Sequence, residues 1–171
     1  IEHGFLMDEE TAALLAEKDI WLSLQPLPEA LREGFPVGSV QREGADEVWP
    51  GIARTYELAK KYNIKTAWGT DVLFSRALAQ QQGAILASLV RWHTPAEALT
   101  MATKTNAELL ALSGRRSPYN GRLGVVEEGA LADLLLVDGN PLEDIDLIAD
   151  PDKNFVVIMK DGRVYKDTVS N

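Results

Sequence analysis

Two histidines and a few carboxylates are the side chains of this sequence best suited to metal-dependent chemistry. His3 and Asp71 each stand where an apolar, strand-like segment gives way to a loop, in "IEHG" and in "AWGTD". In a parallel α/β arrangement, the carboxyl ends of strands face the ligand site. Imidazole nitrogen and carboxylate oxygen are suitable ligands for zinc and other first-row divalent ions. Glu2, beside His3, is a weaker candidate of the same kind.

Each of these residues also has a purely structural interpretation. Spacing alone favours a hydrogen-bonded structural role over metal binding for a single histidine near a strand end. Asp71 is placed to cap a helix running through "VLFSRALAQQQGAILASLV". His93 precedes a helix-capping sequence, and we expect it at the surface or at an interface rather than in a catalytic site. Spacing by itself therefore leaves the metal site open.

Composition limits the classes of partner. The chain has 171 residues, 46% of them hydrophobic and 25% charged, which is typical of a globular protein with a buried core. Its 17 Lys and Arg against 26 Asp and Glu give a net charge of −9, which repels phosphate backbones and anionic lipid. We therefore expect no nucleic acid and no membrane as partner. Because the chain has no cysteine, any metal must be held by His and carboxylate.

The elements that would position these residues alternate between strand and helix up to about Ser113. Asp8 is predicted to cap a helix that reaches about Lys18. The segment "IWLSLQP" is predicted to be a strand, and "IKTAW" is predicted to be another that leads into Asp71. Alternation of strand and helix predicts parallel strands joined by right-handed crossovers.

A stretch rich in proline and glycine separates the two predicted strands. Residues 27–50 show little periodicity and are predicted to form a long loop. Long connections in compact domains are usually functional or mobile. A helix is predicted after this loop, from about Gly51 to Tyr62.

The clearest helix signal is "TPAEALTMATKTNAELLALSG". Thr94 and Glu97 form a capping box, Pro95 suits the first helical position, and Gly114 suits the end. The apolar face of this helix is predicted to be broad, made of Leu99, Ala102, Leu109, Leu110 and Leu112.

From Gly114 onward, short β-branched segments alternate with turn residues. In "FVVIMKDGRVYK", Asp161 and Gly162 are predicted to form the two-residue turn of a β-hairpin. The preceding "GVVEEGALADLLLVDGNPL" is predicted to lead into the same small antiparallel unit. These patterns predict two domains, residues 1–113 and residues 114–171.

The order of these segments carries a resemblance. "IEHG", "WLSLQP", "AWGTD", "TPAEALTMATKTNAELLAL", "GRLGVVEEGALADLLLVDGNPLEDI" and "VIMKDGRVYK" follow one another as they do in the C-terminal part of an amidohydrolase-superfamily enzyme. The chain resembles most the imidazolonepropionase-like and Xaa-Pro-dipeptidase-like metal-dependent hydrolases. The resemblance covers nearly the whole chain, and residues 27–50 fit it least.

The resemblance implies an α/β fold, namely a partial (β/α)8 TIM barrel of about strands 6 to 8, followed by the C-terminal strands of a small β-sandwich. His3 matches a metal ligand at the end of the sixth strand. Asp71 matches the aspartate at the end of the eighth strand, which binds metal and takes a proton from the attacking water. Gln25, at the end of the seventh strand, becomes a position for substrate contacts, and residues 27–50 become a loop at the substrate-facing rim.

The implied activity is hydrolysis of an amide or related C–N bond by metal-activated water. The implied cofactor is a divalent metal, zinc in the first instance, and the implied substrate is a dipeptide, an acylated amino acid or a cyclic amide. Other ligands of the family would lie upstream of Ile1, so we expect a fragment that is inactive without the missing N-terminal part of the barrel.

Two further expectations follow. The partial barrel and sandwich would expose strand edges, and we expect a homo-oligomer to form through them. The alternative to an enzyme is a non-catalytic α/β scaffold or interaction module that retains the family's C-terminal part. The cellular location is left open by the sequence.

Overall fold

The computed structural model describes residues 1–73 and 75–169. The chain divides into two compact units, Ile1–Asp71 and Val72–Asn171. The domain boundary predicted at residues 113–114 falls within the second unit and stays a prediction. Within the described ranges, no helix has the length and apolar character needed to cross a membrane.

The first unit is built around three parallel strand segments. Strand β1 (Leu22–Leu24) pairs in parallel with β2 (Thr66–Trp68), and both lie where the sequence predicts them. On the other side of β1, Glu2 forms a parallel bridge to Ser23. Both leucines of β1 are fully buried. The predicted parallel arrangement is confirmed for these segments.

Three helices accompany these strands. Helix α1 (Glu9–Glu17) begins as predicted, because the Asp8 carboxylate accepts the Thr11 N–H at 2.8 Å. Helix α2 (Glu29–Glu33) is short, and α3 (Val40–Lys61) has 22 residues. The buried face of α3 consists of Ala45, Ile52, Thr55, Tyr56, Leu58 and Ala59.

The long loop predicted for residues 27–50 is wrong over α2 and the first half of α3. Helix α3 begins after Ser39, whose hydroxyl accepts the Arg42 N–H at 3.2 Å, and it continues through Pro50. A proline inside a helix removes one backbone hydrogen bond. Burial of an amphipathic face supplies most helical stability in proteins, and here it outweighs that loss.

Ion pairs join α2 to α3. Asp46 accepts hydrogen bonds from Arg32 at 2.8 Å and from Arg42 at 2.9 Å. The bond from Arg42, with that from Arg32, lowers the pKa of the Asp46 carboxyl below its ordinary value. Since these groups lie at the surface, the pairs fix geometry more than they add stability.

The second unit begins with short helices, α4 (Arg76–Ala79) and α5 (Gln82–Ala87), followed by a 3₁₀ turn over Ser88–Arg91. The strongest predicted helix is confirmed at its start, where Thr94 and Glu97 form the capping box. It is divided into α6 (Pro95–Thr100), a π-helical segment (Met101–Thr105) and α7 (Asn106–Ala111).

The predicted apolar face of this helix is only partly correct. Leu110 and Leu112 are 44% and 68% exposed, whereas Ala98 and Met101 are buried. A π-helical segment has more residues per turn than an α-helix, so it rotates the residues after it to a different face. The predicted face assumes an uninterrupted α-helical period.

The second unit ends in an antiparallel sheet, as predicted. Its strands are β3 (Leu134–Val137), β4 (Phe155–Lys160) and β5 (Arg163–Asp167), in the order β3-β4-β5. A short helix, α8 (Pro151–Asn154), precedes β4. The predicted hairpin turn is confirmed, because Asp161 (φ 49°) and Gly162 (φ 74°) both adopt the left-handed backbone of a type I′ turn.

Candidate functional site

His3 and Asp71, the two residues predicted as metal ligands, lie together in the first unit. The His3 Nε2 and Asp71 Oδ2 atoms are 3.9 Å apart, and both side chains are about half exposed. This separation is too long for a direct N–H···O hydrogen bond. The two side chains therefore face a common space that is open to solvent.

Backbone geometry at the strand ends places both residues. The His3 N–H donates to the Ser23 carbonyl at 2.9 Å, and the Gly69 N–H donates to the Leu24 carbonyl at 3.0 Å. Directly afterwards the chain turns, with His3 at φ 65° and Asp71 at φ 51°. Few residues other than glycine adopt this left-handed conformation, and Asp and His are enriched among those that do. Both candidates therefore occupy sharp turns at the same end of the parallel strands.

Helix α3 fixes the turn that follows His3. The Thr55 hydroxyl donates to the Gly4 carbonyl at 3.0 Å. A Cβ atom on Gly51 would lie 1.8 Å from the Phe5 carbonyl oxygen, so only glycine lets the helix approach this closely. Gly4 itself has φ 65°. The loop beside the candidate site is thus held against a buried helix.

Gln25 is the buried partner of His3. Gln25 is only 3% exposed, and its Oε1 atom lies 2.7 Å from the His3 Nδ1 atom. Its Nε2 donates toward Glu2 Oε2 at 3.3 Å and toward the Ser23 hydroxyl and carbonyl oxygens at 3.4 Å. The predicted substrate contact of Gln25 stays a prediction, since the structure places its polar atoms against protein groups.

A cavity of about 500 Å³ opens beside His3 in the first unit. Its lining is mostly apolar and includes Ile1, Phe5, Met7 and Val48. The Phe5 ring lies 5.5 Å from the His3 ring, in a tilted arrangement. His3 therefore borders a hydrophobic space, which suits an organic group.

The sequence profile of the amidohydrolase family matches residues 1–167. The chain belongs to the amidohydrolase family. Among characterised proteins it is similar to ochratoxinase from Aspergillus niger, at 29% identity over 175 residues. That match covers 97% of this chain and 33% of ochratoxinase.

Crystal structures agree with this assignment. An amidohydrolase structure superposes with a TM-score of 0.83 at 31% identity, covering 99% of this chain and 40% of its own. A prolidase in complex with N-methylphosphonate-L-proline superposes with a TM-score of 0.82 at 28% identity, covering 98% of this chain and 40% of its own. This amidohydrolase chain thus has a mixed α/β fold and spans well under half the length of its relatives.

The donor set of this amidohydrolase chain fits a divalent cation. His3 Nε2 and Asp71 Oδ2 would be its donor atoms, because imidazole nitrogen and carboxylate oxygen are suitable ligands for zinc and other first-row divalent ions. Among residues 1–73 and 75–169, no group of three His, Cys, Asp or Glu side chains is arranged to hold a metal. The described part of the chain therefore brings together two possible ligands, fewer than the four positions of a zinc site.

Two structural alternatives from the sequence can be compared with the described residues. The N-cap of α4 is Ser75, whose hydroxyl accepts the Leu78 N–H at 3.3 Å, and not Asp71. His93 is expected at the surface or at an interface; its side chain is only 12% exposed, which argues against the surface, and the interface position stays a prediction. The His93 N–H donates to the Leu89 carbonyl at 2.9 Å, directly after the 3₁₀ turn.

Sequence reasoning missed the support of the site. Ser23 contacts Gln25 and Thr55 holds the Gly4 turn, and neither is predicted as a site residue from the sequence. For Ser23 a signal exists, because "LSLQ" alternates apolar and polar residues, which places Ser23 and Gln25 on one face of β1. For Thr55, a threonine in the middle of a predicted helix gives no comparable signal.

Proposed function

We propose that this chain forms about strands 6 to 8 of a metal-dependent amidohydrolase barrel, together with strands of its small β-sandwich. In this proposal the parent enzyme hydrolyses an amide or related C–N bond. The observation that carries it is the 3.9 Å separation of His3 Nε2 and Asp71 Oδ2 at the same end of the two parallel segments that flank β1. Active sites of barrel enzymes lie at that end of the strands.

His3 and Asp71 would hold a divalent cation, with zinc the first candidate. Such a cation lowers the pKa of a bound water and polarises the scissile carbonyl. The Asp71 carboxylate accepts the proton of the attacking water and returns it to the leaving nitrogen. The His3 ring lies beside the Asp71 carboxylate. In this proposal both residues bind the cation, and Asp71 also transfers the proton.

The proposed substrate is a small molecule with a hydrolysable C–N bond. A dipeptide, an acylated amino acid and a cyclic amide all satisfy this description. Family membership supports this class, and the similar prolidase was crystallised with N-methylphosphonate-L-proline. The apolar lining beside His3 supports a hydrophobic group next to the bond that is cleaved.

The remaining metal ligands would come from the part of the barrel that this chain does not contain. The chain spans 33% of ochratoxinase and 40% of the similar prolidase, so there is room for them in a longer protein. We propose that the chain is inactive without that part. We also propose that its exposed strand edges associate with a second copy.

The test is metal analysis and an amidase assay of the longest protein that carries this segment. We expect Asp71→Ala to lower the rate about 100-fold or more, the range typical of losing a general base. His3→Ala should lower bound metal, and Asp152→Ala, an exposed aspartate in the second unit, should change neither quantity.

Two results would redirect the proposal. Full metal content and full rate in both site variants would exclude the assigned residues. A wild-type protein that binds no divalent metal and cleaves no amide would favour the alternative, a non-catalytic interaction module.

A further inference from the structure

We propose that Gln25 is a positioning residue that fixes the tautomer of His3. In this inference the proton resides on Nδ1, and Nε2 presents its lone pair toward Asp71. The role of Gln25 in metal binding rests on the proposed function. The assignment of the His3 proton rests on the hydrogen-bond geometry alone.

The orientation of the Gln25 amide follows from its surroundings. Its Nε2 is 3.3 Å from Glu2 Oε2 and 3.4 Å from the Ser23 carbonyl oxygen. A carboxylate and a carbonyl accept hydrogen bonds and donate none. The amide NH₂ must therefore face them, because the opposite orientation would set oxygen against oxygen.

The same argument then assigns the His3 proton. With its NH₂ group committed to Glu2 and Ser23, Gln25 offers only Oε1 to His3 Nδ1, at 2.7 Å. An amide oxygen carries no hydrogen, so Nδ1 must be the donor. A neutral imidazole carries one proton, which leaves Nε2 unprotonated. Nε2 is the atom that lies 3.9 Å from Asp71 Oδ2.

Burial of Gln25 stabilises the Nδ1-protonated tautomer of His3. Gln25 is 3% exposed, whereas the His3 side chain is 48% exposed. Water can therefore reach the His3 ring but competes poorly for the Gln25 amide. A buried amide oxygen left without a donor is costly, which opposes the other tautomer. An exposed imidazole in water favours the Nε2-protonated form, so the protein reverses the ordinary preference.

A fixed tautomer matters because metals bind the unprotonated nitrogen of imidazole. Groups that hold the other ring nitrogen commonly change metal affinity or activity by about 10–100-fold when they are removed. The relay from Glu2 through Gln25 to His3 would hold Nε2 in its binding form before a cation arrives. Gln25 then acts through His3, and it need not touch the substrate.

The test is nitrogen NMR of the full chain labelled with ¹⁵N at histidine, at a pH where the rings are neutral. The chain has two histidines, so the His3 and His93 ring signals are separable. We expect His3 to be protonated at Nδ1. In Gln25→Met, of similar volume but without the amide oxygen, it should shift toward the Nε2-protonated form.

Controls separate this role from a general loss of structure. Gln41→Met makes the same change at an exposed position of α3 and should leave the His3 signals unchanged. The His93 signals report folding within every sample. An Nε2-protonated His3 in the wild type would overturn the proposal, and so would a folded Gln25→Met with unchanged His3 signals.

Zinc affinity of the longest protein that carries this segment provides a second measurement. Gln25→Met should weaken zinc binding about 10–100-fold. If His3→Ala leaves zinc binding unchanged, the proposed function fails while the nitrogen spectra still decide the positioning role. If Gln25→Met binds zinc as the wild type does, the positioning role has no effect on the metal and the proposal fails.

Discussion

Two leucine-containing strands, one in each unit, bury their side chains to opposite extents. In β1, Leu22 and Leu24 are 0% exposed. In β3, Leu134, Leu135 and Leu136 are 36%, 54% and 52% exposed. β1 has paired neighbours along both edges, whereas within the described chain β3 pairs only with β4.

This difference shows that the surroundings of a strand, and not its leucines, decide how much it stabilises the protein. Burying apolar surface contributes roughly 25 cal/mol per Å² removed from water. β1 obtains this contribution within its own unit, next to the candidate site. The leucines of β3 keep much of their apolar surface in water, and an edge strand of this kind is open to association.

The largest expected effect comes from shortening one leucine in each strand. Leu24→Ala should lower the free energy of unfolding by about 2–5 kcal/mol, because it leaves a cavity in a packed core. Leu135→Ala should change it by no more than about 1 kcal/mol, since much of its side chain is already in water. Urea unfolding followed by tryptophan fluorescence measures both, and equal losses would contradict the comparison.

A second experiment tests the close approach of α3 to the segment that follows His3. Gly51→Ala should destabilise the protein by about 1–3 kcal/mol, because the new methyl group would meet the Phe5 carbonyl. Gly44→Ala lies in the same helix with no atom near its added Cβ, and it should stabilise by roughly 0.5–1 kcal/mol. Thermal unfolding compares the two, and a shift of the same sign in both would argue against the close approach.

A third experiment addresses the exposed face of β3. Leu135→Lys should weaken self-association and change the stability of the monomer by only about 0.5 kcal/mol, because a charge on an edge strand opposes pairing. Sedimentation velocity over a range of concentrations measures the association. Val126→Lys, at a residue 86% exposed outside the sheet, is the matched control. A wild type that stays monomeric throughout would refute the proposed association.

The smallest effect concerns the surface of the first unit. Hydrogen bonds from Lys61, and also from Tyr62, lower the pKa of the Glu9 carboxyl below its ordinary value. The folded protein then binds this proton less tightly than the unfolded chain, so the contribution is present above the unfolded pKa and is lost as the pH falls through the folded one. Glu9→Gln should therefore be slightly less stable at neutral pH and equal to the wild type in acid.

Chemical denaturation at the two pH values measures this difference. Glu10→Gln, in the same first turn of α1, is the matched control and should change stability little at either pH. A deficit of Glu9→Gln that persisted in acid would show that the carboxylate contributes something other than this charge.

Local chemistry explains which parts of the fold the sequence predicts. The Asp161–Gly162 turn and the Thr94–Glu97 capping box depend on residues within four positions of each other, and both are confirmed. Helix α3 could not be predicted across Pro50, because the burial that stabilises it comes from distant segments. The inward position of His93 depends in the same way on packing that the sequence does not display.

The same distinction between local and long-range determinants applies to the candidate site. His3 and Asp71 could be proposed from strand ends and family resemblance, and they lie near each other in the first unit. The bond between Gln25 and His3 joins residues 22 positions apart, so it depends on the register of β1 against the segment around Glu2. That register is a property of the folded sheet, and no local pattern indicates it.

The left-handed backbone at His3 and Asp71 carries an evolutionary consequence. A side chain in this conformation costs roughly 1–2 kcal/mol that glycine avoids. Selection for stability alone would therefore favour glycine at both positions, and the first unit would become more robust while losing its candidate ligands. Directed evolution for thermal tolerance alone should replace His3 and Asp71 early. Retention of both residues in a lineage would then indicate selection for something other than stability.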